Sequence, residues 1–205
     1  ILEFINNPER KTHSLIGYAG TGKTTLIKEI ESEIEKDNPF ARILYSAPTH
    51  RANAVTKLKN PDANVYTLHS LLGLSPEQDL EEFDADDAKY LKKGFNKVKS
   101  GDILIVDESS MINNDLYEMI KKFIVEELNA KVLFVGDDAQ LKPVKQEKKS
   151  KALSSTEKVS SLTEIMRANN NSVLEESMHV RDTARLLIIV KVKQEISTEC
   201  LQKEG

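Results

Sequence analysis

The sequence predicts an α/β fold, a doubly wound parallel sheet with helices on both faces. Three observations carry that expectation. Short apolar runs alternate with stretches of helical periodicity across residues 13–135. A glycine-rich loop lies between the first apolar run and the first helical stretch. A later run, Ile103-Leu104-Ile105-Val106, contains no polar residue and ends in two carboxylates, as expected of a strand buried on both faces.

The elements follow in order. Residues 13–17 read as the first strand and feed the glycine-rich loop. Residues 24–36 read as a helix, with Leu26, Ile27, Ile30 and Ile34 on one face and Asp37-Asn38-Pro39 ending it. Residues 42–47 form a second strand, 49–58 a second helix and 65–67 a short strand. Residues 103–106 and 131–135 are further buried strands, and 114–127 a helix between them. Two stretches break the alternation. Residues 75–101 hold seven acidic residues between Glu77 and Asp87 and five lysines from Lys89 to Lys99. They are too polar for core and read either as a solvated loop or helical hairpin, or as a functional appendage. Residues 142–158 are rich in lysine and serine and read as a flexible loop. From Thr183 onward the tail has an apolar centre at 186–192, either a strand or the stub of a second domain.

The chain has 205 residues, enough for one α/β domain with a tail left over. Its 39% apolar and 30% charged residues suit a soluble, core-forming protein. The net charge of −4 argues against a dedicated, sequence-independent DNA binder, so any nucleic-acid site must be a local groove. Cys200 is the only cysteine, which rules out an intramolecular disulfide and fits a reducing, cytosolic setting. No apolar run approaches the ~20 residues of a membrane span, and no signal peptide is visible. The chain opens at Ile1 and not at methionine, which fits a piece of a longer protein.

Five constellations carry chemistry. The segment Gly17-Tyr18-Ala19-Gly20-Thr21-Gly22-Lys23-Thr24 meets the P-loop pattern G-x-x-x-x-G-K-[ST] between a strand and a helix. Glycines let backbone N–H groups turn toward phosphates, and the helix N-terminus adds its positive end. Gly17, Ala19, Gly20, Thr21, Gly22, Lys23, Thr24 and Thr25 are thus expected to bind a nucleoside triphosphate. Lys23 would reach the β- and γ-phosphates and Thr24 would ligate Mg²⁺. Second, Asp107 and Glu108 close the buried strand at 103–106. Asp107 would hold Mg²⁺ through its water shell, and Glu108 would orient and polarise the attacking water. The plainer role, capping the next helix with Ser109 and Ser110, also fits.

The third constellation is Val135-Gly136-Asp137-Asp138-Ala139-Gln140-Leu141. Gln140 there either hydrogen-bonds the γ-phosphate or the attacking water, or sits in an ordinary turn. The fourth, Leu162-Thr163-Glu164-Ile165-Met166-Arg167, offers Arg167 as an arginine finger or as a surface residue. The fifth is a pair, Ala47-Pro48-Thr49-His50 and Thr67-Leu68-His69-Ser70, each just after a strand. Their hydroxyls, imidazoles and helix N-termini are good phosphate contacts. N-capping by Thr49 and Thr67, with His50 and His69 structural, explains them as well.

In order, these pieces resemble the first, RecA-like motor domain of superfamily 1B DNA helicases of the RecD/Dda type. The matching segments are GYAGTGKTT from Gly17, APTHRA from Ala47, TLHSLLG from Thr67, ILIVDESSM from Ile103, VGDDAQLKPV from Val135 and LTEIMR from Leu162. The resemblance implies an ATP- and Mg²⁺-dependent motor moving 5′ to 3′ on single-stranded DNA. It implies that Pro48, Thr49, His50, Thr67 and His69 face the DNA, that Gln140 senses the γ-phosphate, and that Arg167 meets it across a cleft between two motor domains. It places the motor domain at 1–170, a strand-separating pin within 73–101 with Phe83 as a candidate tip, and a tail or stub of a second motor domain at 171–205. Repair, recombination or replication proteins are the implied partners. The family's adenine-gripping glutamine motif lies upstream of where this sequence starts, and Lys142-Pro143 stands where the family has two prolines. Without a second motor domain, weak nucleotide binding and no unwinding are expected. Two alternatives remain: a nucleotide-dependent DNA- or protein-binding switch, and a small-molecule kinase. The kinase lacks an acceptor pocket and an arginine-rich lid here, and Glu108 with Gln140 suits water as nucleophile.

Overall fold

The computed structural model describes residues 1–77, 79–80, 83–86, 97–137, 139, 150–154 and 156–163. Its elements run α1 (Leu2–Asn6), β1 (Thr12–Gly17), α2 (Lys23–Asp37), β2 (Ile43–Ser46), α3 (His50–Lys59), β3 (Asn64–Val65), α4 (Leu68–Leu72), β4 (Ile103–Val106), α5 (Asn114–Ile120), β5 (Lys131–Gly136), α6 (Lys151–Ser154) and β6 (Val159–Leu162). A 3₁₀ turn at Ser109–Met111 precedes α5, and a π-helical segment, Lys121–Glu127, continues it. The six strands form one sheet in the order β3-β2-β4-β5-β1-β6, and every pairing is parallel. The doubly wound α/β architecture expected from the apolar runs is therefore present.

The apolar runs explain how the layers form. Side chains alternate across a strand, so a run with no polar residue supplies both faces. Leu44, Leu104, Val106, Val132 and Phe134 enter one cluster with Leu68, Leu116 and Ile124. Their neighbours Tyr45, Ile105, Leu133, Val135 and Leu15 enter another with Phe4 and Ile27. Helices α4, α5 and α6 thus cover one face, while α1 and α2 cover the other. Helix α2 seats Ile27, Ile30 and Ile34 in its buried stripe, as its spacing predicts. Helix α3 differs, since Asn53 is its one buried residue.

Side-chain ties hold the ends. Lys131 Nζ donates to the carbonyls of Phe4 (2.8 Å), Asn7 (2.6 Å) and Arg10 (2.8 Å), which closes the C-terminal end of α1 onto β5. Ser14 Oγ donates to the Ala152 carbonyl at 2.7 Å and fixes α6 beside β1.

Three parts depart from the expectations. Helices α1 and α4 and strand β6 had no sequence signal strong enough to predict them, because each spans only four or five residues. The stretch 142–158 is not a loop throughout: α6 buries Ala152 and Leu153, and β6 begins at Val159. Residues 75–101 are not wholly surface, since Leu80, Phe83 and Val98 lie in the main core cluster. Phe83 is 3% exposed, and its carbonyl accepts from Asn113 Nδ2 at 2.7 Å. It is core and not the exposed tip expected of it. Charge density misled here because three apolar side chains suffice to dock a polar segment.

Phe83→Ala is accordingly expected to cost about 3–5 kcal/mol, read from urea or thermal unfolding. An exposed tip would cost within about 0.5 kcal/mol.

Candidate active site

In an all-parallel sheet every strand ends at the same edge, and ligands gather there. The register brings the chemical residues to one end of the sheet. Ser46 pairs with Val106, Val106 with Phe134, and Ile16 with Gly136. Ala47 after β2 and Asp107 after β4 therefore emerge level with Val135, and Asp137 after β5 emerges two residues further along, level with Gly17. The P-loop leaves β1 at Gly17, which pairs with Leu162 of β6.

The loop is built around its glycines. Gly20 and Gly22 adopt φ of 85° and 88°, the left-handed region that glycine enters freely. A Cβ on Gly17 would lie 2.5 Å from Thr21 Oγ1, closer than any side chain tolerates. Thr21 itself is buried and donates to the Tyr18 carbonyl at 2.8 Å. Gly22 is the N-cap of α2 and brings no side-chain cap, so the first-turn N–H groups are presented outward. Lys23 Nζ donates to the carbonyls of Gly17 (2.5 Å) and Tyr18 (3.0 Å). Its ammonium is held at the mouth of the loop it serves. Thr24 and Thr25 are exposed in the first turn of α2.

Asp107 continues the sheet, its N–H donating to the Ser46 carbonyl at 2.8 Å. Its Oδ1 accepts from the Glu108 N–H at 2.9 Å. Glu108 takes φ 53° and ψ 35°, a left-handed conformation that costs an L-residue roughly 1–2 kcal/mol. Burial pushes the Glu108 carboxyl above its ordinary pKa, and the Asp107 charge adds to that. Lys23 opposes the shift, Asp137 reinforces it, and Lys59 opposes it. These influences place one cation of the P-loop and three carboxylates within one electrostatic neighbourhood. Glu108 stands at the N-cap of the 3₁₀ turn but makes no side-chain cap bond there, and Asn113 is the residue that caps α5. Capping therefore does not account for Glu108.

Two cavities flank the loop. One of about 440 Å³ has Thr24, Asp107 and Glu108 on its wall. The other, about 470 Å³, is lined by Thr21, Gly22, Thr25, Leu26 and Leu162.

The two Thr/His segments meet at the same edge. Thr49 Oγ1 accepts from the Ala52 N–H and Thr67 Oγ1 from the Ser70 N–H, each at 3.2 Å, so both cap their helices. The rings of His50 and His69 stack at 5.9 Å with 15° between planes. His50 is exposed, whereas His69 and Pro48 are buried. Gln140 and Arg167 lie outside the described residues. Sequence reasoning missed Asn53 and gave Asp137 no role of its own. Asn53 donates from Nδ2 to the Ala47 carbonyl at 3.2 Å and braces the loop after β2. Asp137 is 2% exposed and accepts from the Ala139 N–H at 3.0 Å. A polar residue on a helix face otherwise lacking apolar side chains was the available sign for Asn53.

Comparison with known proteins agrees with this geometry. A family model described as an AAA domain matches residues 2–197. The RecBCD enzyme subunit RecD of Buchnera aphidicola (subsp. Schizaphis graminum) is 33% identical over 163 residues, 71% of this chain and 24% of that protein. The ATP-dependent DNA helicase Pif1 of Campylobacter jejuni is 31% identical over 141 residues, 66% of this chain and 30% of that protein. The crystal structure of Pif1 helicase from Candida albicans superposes with a TM-score of 0.57 at 23% identity, covering 87% of this chain and 43% of that one, which establishes the fold. The chain spans under a third of the length of the curated relatives it matches.

Glu108 yields a stability prediction. A carboxyl whose folded pKa lies above its unfolded value contributes stability below the unfolded pKa and loses it as pH rises through the folded one. Ionised Glu108 therefore weakens the free protein at neutral pH. Glu108→Gln is expected to melt at a higher temperature than the parent at neutral pH, with the gain vanishing in acid where both side chains are neutral.

Proposed function

This chain belongs to the AAA domain family, in the branch that holds RecD- and Pif1-like helicases, and we propose that it is the ATP-binding wall of a DNA-translocating motor. The observation that carries the reading is the shared placement of Thr24, Asp107 and Glu108 on one cavity beside the P-loop lysine. Mg²⁺ keeps several waters and takes one or two carboxylates plus substrate phosphates. One hydroxyl and one carboxylate, Thr24 and Asp107, match that donor set. A bound Mg²⁺ would neutralise charge developing on the phosphates.

The residues divide the work. Gly17, Ala19, Gly20, Thr21, Gly22 and Thr25 cradle the phosphates of ATP through backbone N–H groups and the α2 N-terminus. Lys23 leaves the carbonyls of Gly17 and Tyr18 for the β- and γ-phosphates. The nucleoside lies toward the cavity beside Leu26 and Leu162, and the reacting end toward Glu108. Glu108 takes the attacking water's proton and orients that water, a role its raised pKa suits. Gln140 senses the γ-phosphate, and Arg167 supports its charge from a neighbouring motor domain.

DNA binding is the second half of the reading. Pro48, Thr49, His50, Thr67 and His69 stand at the sheet edge that carries the nucleotide site, with the stacked imidazoles joining the two segments. The relatives' names, a RecBCD subunit and an ATP-dependent DNA helicase, support DNA as the track. Movement 5′ to 3′ on single-stranded DNA rests on the superfamily 1B resemblance. The motor domain spans 1–170, with 73–101 as an inserted pin-like element and 171–205 as the tail or stub of a second motor domain. A further motor domain completes the cleft.

The full-length protein is expected to hydrolyse ATP faster when oligo(dT) is added, and to move on that strand. ATP binding with no stimulation and no movement would instead favour a nucleotide-dependent binding switch. Lys23→Ala should reduce hydrolysis by at least ~10²-fold while circular dichroism and the melting temperature stay near the parent's. Normal turnover in that variant would displace the site.

A further inference from the structure

We propose that the cavity between α2 and α3 is a binding site for a small aromatic acid, distinct from the nucleotide cradle. Its extent is the first argument. Both Thr49 and Asn60, at opposite ends of α3, line it. Eleven helical steps of about 1.5 Å make that span roughly 16 Å. A triphosphate seated on the P-loop meets only the end where Thr24, Asp107 and Glu108 stand. The cavity of about 440 Å³ lies within the size range of small-molecule sites, about 300–1,000 Å³.

The chemistry of the walls names the ligand. Ile27 from α2, Tyr45 and Ile105 from the sheet, and Val55 from α3 supply apolar surface. The Tyr45 hydroxyl hydrogen-bonds Glu31, which lines the neighbouring cavity between α2 and β2. Tyr45 therefore offers this cavity a ring and not a polar group. Lys28, Arg51 and Lys59 also line it, against Asp107 and Glu108. Three cations against two carboxylates leave an anion favoured, and Lys59 is close enough to act on the Glu108 carboxyl. An apolar ring would lie on Ile27, Tyr45 and Ile105, with its acid group on Lys59 or Arg51 and away from the two carboxylates.

The roof can accept such an occupant. Helix α3 has no apolar residue buried in the core, and Val55 is 40% exposed. Its ties to the rest of the fold include the Asn53 bond to Ala47, a bond from Lys57 Nζ to the Ala63 carbonyl at 2.8 Å and the stacking of His50 on His69. An occupant would bury Val55 and clamp α3. It would stand against Glu108 while leaving the P-loop open, and so slow turnover without displacing nucleotide. That last consequence rests on the function proposed above, whereas binding itself does not.

The test uses anilinonaphthalene sulfonate, an aromatic acid whose fluorescence rises in apolar surroundings, titrated into the full chain without nucleotide or metal. Saturable one-to-one binding is expected. Val55→Trp fills the cavity from a half-exposed position, and Lys59→Glu reverses one of its three cations. Neither change touches the core, and melting curves verify that both fold. Val55→Trp should weaken binding by at least ~10-fold through overfilling, and Lys59→Glu should weaken it several-fold. Absence of saturable binding to the parent, or parental affinity in either folded variant, overturns the proposal. Retained binding of a fluorescent ATP analogue alongside the probe supports a separate site, and mutual exclusion overturns it. A failure of ATP hydrolysis would bear only on the function proposed above.

Discussion

Parallel register across β2, β4, β5 and β1 is the constraint on which the active site depends. It makes Ala47 and Asp107 leave the sheet level with each other, and Asp137 and the P-loop leave it two residues further along at the same end. A slip of one residue in β4 would send Asp107 and Glu108 out from the wrong face, because side chains alternate with every residue. That slip is opposed by the burial of both faces. Leu104 and Val106 belong to one core cluster, and Ile105 to the other. Exchanging them would empty well-packed positions on each side. The Asp107 N–H bond to the Ser46 carbonyl carries the register one residue past the strand, into the chemistry.

Around that fixed frame the site stores its tension locally. Glu108 is held left-handed, partly buried and beside a second carboxylate. The first strains its backbone and the other two oppose its ionised form, and all are tolerated because the sheet below is over-determined. The P-loop is also arranged for a visitor. Its lysine is satisfied by its own loop's carbonyls, and Gly17 is forced by the nearness of Thr21. Backbone strain and a disfavoured charge thus coincide at Glu108.

The strand side and the helix side of the site differ in firmness. Helix α2 presses three isoleucines into the core, while α3 buries one asparagine. The element that carries Thr49 and His50 is therefore the less anchored of the two helices that border Glu108.

How much was legible follows from the range of the forces. The buried strands at 103–106 and 131–135, helix α2, the P-loop and the Thr49 and Thr67 caps could be read from the sequence, because their signals lie within a few residues. The family followed from the order of six local motifs. Local charge, however, hid Phe83, Leu80 and Val98, which fold back onto the core. It likewise hid α6, held by a serine 138 positions away in β1. The stacking of His50 on His69, the brace from Asn53 and the left-handed turn at Glu108 were decided only by tertiary structure. Periodicity and motif spacing report what a segment prefers. Which distant segments share a buried surface depends on packing, and packing acts between residues that the sequence does not place side by side.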